Sequence, residues 1–297
     1  MAALAGVYPI TLTPFTDAGD VDQGGIDALV ESYLQAGAHG LTILGIMGEA
    51  ARLLDDEREV VLRRYLAAAA GRVPVVVGVS ARATRVALHY ARRAEEAGAA
   101  AVMLAPPDGT RDLELVLEHF RQVEAAVSVP VVVQDEPVNT GVTMPAPFLV
   151  RLLDGLPGCR YLKLEESPTL PKISAVRRLA SSEVGIFGGL GGLYFYEELG
   201  RGADGIMTGF GFPEILVRTY ELYRSGDRAG AQRYFFSYLP LVRFEAQLGV
   251  GGVAVRKHVF ARRGVIGSAH ARFPAPRVDE QTLRELDDLL TVLGLQG

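Results

Sequence analysis

The sequence predicts an α/β protein, a (βα)8 TIM barrel with a C-terminal three-helix appendage, on three observations. A fragment recurs as Ala36-Gly37-Ala38-His39-Gly40, Ala97-Gly98-Ala99-Ala100-Ala101 and Arg201-Gly202-Ala203-Asp204-Gly205, each time after a helical stretch and before an apolar run. Glycine there supplies the left-handed residue that ends a helix before the chain enters a strand. A second piece, Val-Pro-Val-Val-Val, stands at 73–77 and again at 129–133. Proline opening a strand, followed by β-branched residues, suits a strand buried on both faces, as in a parallel sheet. Finally, strand and helix alternate eight times within residues 1–224, the count of a closed parallel barrel.

The first strand is expected near 7–12 and runs into Thr13-Pro14-Phe15. No G-x-G-x-x-G follows it, which disfavours an open dinucleotide-binding sheet. The next strands are expected near 40–44, 73–79, 100–105, 129–135, 160–165, 184–188 and 204–208. Between them the apolar period is helical: Ile26, Leu29, Val30, Tyr33 and Leu34 share one face, as do Leu113, Val116, Leu117 and Phe120. From about Ser225 the alternation stops, and residues 225–297 read as three helices near 228–247, 253–263 and 279–294, packed on the barrel.

Composition narrows the function. A hydrophobic content of 49% and a mean hydropathy of +0.20 fit a well-buried α/β chain. A net charge of −5 gives no footprint for nucleic acid or an anionic membrane. Pairings such as Arg58 and Arg63 with Glu57 and Glu59 read as a solvated helix face. The one cysteine, Cys159, allows no intrachain disulfide and is expected to be a packing residue in a reducing compartment. The N-terminus lacks a basic leader, its first charge being Asp17, and no apolar run reaches spanning length. A cytoplasmic protein is expected.

In such a barrel the site lies at the C-terminal ends of the strands. The five histidines are scattered without a ligand-spaced pair, and there is no G-x-S-x-G elbow, so metal-dependent and serine-hydrolase chemistry are disfavoured. Glycines 188, 189, 191, 192 and 209 suit either a phosphate cradle or tight turns. Of three lysines, Lys172 falls at a helix start and Lys257 in a surface-like helix. Lys163 alone occupies a strand, where alternation puts Tyr161, Lys163 and Glu165 on one face. Two readings stay open for it: an amine nucleophile, which arginine cannot replace, or a structural partner of Glu165.

At these residues the chain resembles the dihydrodipicolinate synthase and N-acetylneuraminate lyase family over nearly its whole length. Thr13-Pro14-Phe15 is similar to the family's opening motif, and Gly45-Ile46-Met47-Gly48-Glu49 to its G-T-T-G-E loop. The resemblance implies a class I lyase with Lys163 as Schiff-base lysine, a 2-oxo acid substrate, no metal or organic cofactor, and a homotetramer or homodimer. It implies substrate contacts at Ile46, Met47, Gly48, Asp108, Gly189, Met207 and Thr208. Ile46 and Met47 replace the family's loop hydroxyls, leaving the backbone N–H groups of Met47 and Gly48 to hold a carboxylate. Gln134 stands at the family's tyrosine, Asn139 at the synthase arginine, and Asp108 near the aromatic contributed by a partner subunit. Gln134-Asp135, Lys163-Leu164-Glu165 and Met207-Thr208-Gly209 together are similar to the 2-keto-3-deoxy-L-arabonate dehydratase branch. Glu165 is then the candidate proton shuttle, with Gln134 orienting water or substrate. Glu49 is expected to cap a helix, and Asp135 and Glu136 to be structural. The alternatives are a barrel that binds a 2-oxo acid without reacting, a pyruvate-dependent synthase or aldolase, and a phosphate-binding isomerase or aldolase.

Overall fold

The computed structural model describes residues 3–246, 252–275 and 277–295. Eight parallel strands run β1 (Gly6–Pro9), β2 (Leu41–Ile43), β3 (Val75–Gly78), β4 (Ala101–Leu104), β5 (Val131–Asp135), β6 (Tyr161–Leu164), β7 (Gly185–Gly188) and β8 (Gly205–Thr208). Their spatial order is β1-β8-β7-β6-β5-β4-β3-β2, and a parallel bridge between Ile10 and Thr42 brings the two ends together. At their C-terminal ends β1, β2, β3, β4 and β6 stop short of the expected bounds, whereas β5, β7 and β8 end where expected and begin later. β3 and β5 each begin directly after a proline, Pro74 and Pro130, and Gly37, Gly98 and Gly202 take positive φ.

Around the strands lie α1 (Gln23–Gln35), α2 (Asp55–Ala69), α3 (Thr84–Glu96), α4 (Leu113–Glu124), α5 (Pro137–Thr140), α6 (Ala146–Gly155), α7 (Thr169–Leu179), α8 (Phe195–Gly200) and α9 (Pro213–Arg224). Aspartates start three helices by accepting from the first turn: Asp22 from the Gly25 N–H at 2.9 Å, Asp112 from Glu114 and Asp279 from Thr282. Each such cap stabilises its helix by about 1 kcal/mol. The appendage is α10 (Arg228–Ala246), α11 (Gly252–Arg262) and α12 (Glu280–Val292); residue 247 of the expected helix lies outside the described residues. Phe235, Leu241 and Val242 of α10, Val255 and Val259 of α11 and Leu286 and Leu290 of α12 share one core with Phe195, Ile206, Ile215 and Leu216 of the barrel.

The period of two sorts each strand. Val76, Met103, Val132, Tyr161, Phe187, Met207 and Tyr8 fill the barrel interior, whereas Val77, Val102, Val133, Leu162 and Ile186 face the helices. Tyr8 and Tyr161 both stack on Phe187, at 5.5 and 6.1 Å between ring centroids. Tyr161 accepts the Leu4 N–H at 3.0 Å, closing the floor below.

One expectation about the surface is corrected here. Arg63 is solvated, but Arg58 is buried, donating to the Gly78 carbonyl with its guanidinium 4.0 Å from the Tyr90 ring centre. Charge density along a helix does not report that one arginine can reach under its neighbour and pair with backbone. Cys159 is buried, and burial pushes its thiol up to about 12, as befits a packing residue.

Candidate functional site

β6 carries Lys163 in phase with Tyr161, so its side chain rises inside the barrel one layer above the aromatic floor. The residue is only 1% exposed. Its Nζ lies 2.6 Å from Glu165 Oε2, and the same oxygen accepts from Gln134 Nε2 at 3.0 Å. The β5–β6 register pairs Gln134 with Lys163, and the Glu165 N–H continues the ladder to the Asp135 carbonyl at 2.9 Å. Lysine, carboxylate and amide therefore meet because neighbouring strands present the same phase. Gly189 belongs to this cluster by what it lacks: a Cβ there would lie 2.4 Å from Glu165 Cγ.

On the other face of β5, Asp135 is fully buried and pairs with Lys172 Nζ at 2.6 Å, and Glu166 completes that group. Burial pushes the Asp135 carboxyl up to about 7, and Lys172 opposes the shift. Behind β7, Glu198 is fully buried and accepts from Thr169 Oγ1 at 3.0 Å. Burial pushes it up to about 8. Neither Lys172 nor Glu198 was singled out for a role by the sequence, since each depends on a partner from another element. Glu136, as expected, is structural: it caps α5 by accepting the Asn139 N–H at 3.0 Å.

Two expectations are corrected. Lys257 is not on a surface: it is fully buried on α11, paired with Glu49, donating to the His270 carbonyl at 2.8 Å and lying 4.1 Å from the Phe15 ring centre. Burial pushes its amine down to about 8 against the opposing charge of Glu49. Glu49 caps no helix. It sits at φ 53 with no side-chain capping bond, and its carboxylate accepts from Arg52 Nη1 at 3.0 Å and from the Arg272 N–H at 2.9 Å. Glu57 instead serves the start of α2, accepting the Leu54 N–H at 2.9 Å. Glu49 thus clamps the 45–48 loop to the C-terminal region.

The remaining expected substrate contacts spread around the mouth. Ile46 is 36% exposed. The Gly48 N–H, expected to be available for a carboxylate, already donates to the Gly45 carbonyl at 3.1 Å, while the Gly48 carbonyl accepts from Thr13 Oγ1 at 2.6 Å. Met47 abuts the guanidinium of Arg256. Asp108 pairs with Arg82 Nε at 3.2 Å on the surface. Met207 belongs to the interior layer, and alternation turns Thr208 to the opposite face.

Fold and site together define a parallel barrel whose C-terminal mouth holds a buried amine beside a carboxylate. Residues 3–293 match the Dihydrodipicolinate synthetase family. The chain belongs to that family. It is 32% identical to an L-2-keto-3-deoxyarabonate dehydratase of Azospirillum brasilense, over 95% of this chain and 92% of the relative. A crystal structure of dihydrodipicolinate synthase from Rhodopseudomonas palustris superposes with a TM-score of 0.92 at 38% identity, covering 97% of each chain. YagE, a prophage protein of Escherichia coli K12 from the dihydrodipicolinic acid synthase family, solved in complex with pyruvate, gives 0.92 at 26% identity, covering 99% of this chain and 100% of its own. Relatives across the family are lyases and synthases, and a lyase or synthase function of this class follows for the chain.

Proposed function

We propose that the protein is a Schiff-base lyase in which Lys163 condenses with a 2-oxo acid and a 2-keto-3-deoxy sugar acid is dehydrated. The observation that supports this reading is the buried Lys163 amine held 2.6 Å from the Glu165 carboxylate. An ammonium is not a nucleophile, and Glu165 is placed to take its proton. The neutral amine adds to the C2 carbonyl. Protonated Glu165 then returns a proton to the new hydroxyl, which leaves as water to give an iminium.

The iminium draws electrons from C3, and Glu165, again a carboxylate, removes a C3 proton to form the enamine. Those electrons expel the C4 hydroxyl, which takes the proton from Glu165 and departs as water. A water then adds at C2 and frees the lysine. The water consumed in that last step balances the one released on forming the iminium, so the net change is loss of one water from the substrate.

Gln134 holds the Glu165 oxygen and, as an amide, can orient water without itself titrating. Likeness to the arabonate dehydratase supports dehydration, and the pyruvate-bound relative supports a 2-oxo acid. We place the enzyme in the cytoplasm, as a homotetramer or homodimer. The test is borohydride reduction in the presence of pyruvate or a 2-keto-3-deoxy sugar acid, followed by peptide mapping. A reduced adduct on Lys163 is expected, and intact mass with no adduct from any of these compounds refutes the reading. Pyruvate release from a sugar acid in place of water loss would make the enzyme an aldolase.

A further inference from the structure

The mouth holds a second buried cation that the steps above do not use. Arg256 on α11 is 4% exposed, and its Nε donates to Glu245 Oε2 at 2.9 Å. Glu245 also accepts the Gly211 N–H, at 3.1 and 3.2 Å to its two oxygens. The other edge of the guanidinium faces the barrel. A Cβ built on Gly209 would lie 3.1 Å from Arg256 Nη1 and 3.0 Å from Met47 Cγ, and one on Gly191 would lie 3.8 Å from Nη2.

Gly209 follows Met207 by two residues and shares its inward phase, so its vacant side-chain position is part of the mouth. Continuing the β7–β8 register puts Gly189 level with Met207, two residues before Gly209, and there the space is taken by Glu165. The guanidinium and the Lys163–Glu165 pair therefore overhang adjacent strand ends, with Arg256 about one side-chain layer further out, roughly 6–7 Å along the strand.

Among the described residues, Nη1 donates to the Met47 sulfur, and a thioether is a weak acceptor. In the loop beside it Ile46 and Met47 carry no hydroxyl and the Gly48 N–H is already engaged, which leaves the Met47 N–H as the backbone donor for an anion. A guanidinium edge presents parallel N–H groups that match a carboxylate.

We infer that Arg256 is the residue that recognises the substrate's carboxylate, with the Met47 side chain giving way to it. This assignment rests on the reading of the substrate as a 2-oxo acid. It makes α11 of the appendage part of the substrate site, adding to the loop a cation delivered from the C-terminal region.

The experiment compares two ketones of similar size by ligand-observed NMR titration: pyruvate, which has the carboxylate, and hydroxyacetone, which lacks it. Arg256→Met is expected to weaken pyruvate binding by about 10- to 100-fold, the range for a hydrogen bond to a charged group, and to leave hydroxyacetone within about twofold. If loss of the Glu245 partner prevents this variant from folding, Arg256→Lys keeps a cation there and is expected to weaken pyruvate selectively by a smaller factor. Unchanged pyruvate affinity, equal losses for both ketones, or a wild type that does not bind pyruvate would overturn the inference. Arg256-dependent pyruvate binding with no borohydride adduct would uphold it while removing Lys163 as nucleophile, which separates the two readings.

Discussion

Replacing Lys257 by methionine strips the cation from the clamp and leaves Glu49 buried. Both side chains are fully buried, and breaking such a pair by removing one partner typically costs about 3–5 kcal/mol. Glu49 keeps Arg52 at 3.0 Å and the Arg272 N–H at 2.9 Å, which places the expected loss at the low end, about 3 kcal/mol. Urea unfolding followed by circular dichroism reads this as a lower midpoint at constant slope. The double variant Lys257→Met, Glu49→Leu removes both charges and should recover most of the loss.

The pH dependence carries the same signature. Folded Lys257 titrates at about 8, against 10.5 for the ordinary amine. Between those values the unfolded chain holds a proton that the folded chain has released, so rising pH favours folding by up to about 1.4 kcal/mol per pH unit. That rise should be absent in Lys257→Met. A single-variant loss below about 1 kcal/mol, or a double variant as weak as the single one, would show that the clamp is not a buried charge pair.

Three further outcomes are expected. Glu165→Gln should slow borohydride trapping, which depends on the same carboxylate, and slow turnover by about 10²- to 10⁴-fold; turnover at the wild-type rate in steady-state assays would remove Glu165 from the proton path. Gly189→Ala puts a methyl 2.4 Å from Glu165 Cγ and should lower kcat towards that of Glu165→Gln while folding normally; an unchanged kcat would mean that Glu165 can work from elsewhere. Glu198 titrates at about 8 in the fold against 4.5 ordinarily, so its contribution is full below pH 4.5 and lost as pH rises through 8. Thermal melts of Glu198→Gln should therefore decline less than wild type between those limits, and parallel declines would count against a buried neutral acid there.

The barrel was legible in the sequence because its signals are local: a left-handed glycine after a helix, a proline before a valine run, and a period that changes from helix to strand. The shared face of Lys163 and Glu165 was legible for the same reason, since strand alternation fixes it. What remained hidden depends on contacts between distant elements. α11 is buried along almost its entire length, so no periodicity distinguishes Arg256 and Lys257 from a surface helix carrying two cations. The capping reading of Glu49 failed because its positive φ and its partners on the C-terminal region leave no local trace. One sequence feature pointed towards Arg256 and Lys257: they follow directly on the apolar run Val253–Val255 at the start of α11.

The rings of Tyr8, Tyr161 and Phe187, packed edge-on and tilted, close the barrel interior below Lys163. With the inner end closed, any ligand, product or water that reaches Lys163 must share the rim formed by the strand-end loops. Chain extensions on a ligand can project only outward, where loop sequence drifts easily without touching the packed layers below. Divergence within such a scaffold would then be written at the rim, and a new preference for the far end of a ligand could arise without rebuilding the reactive floor.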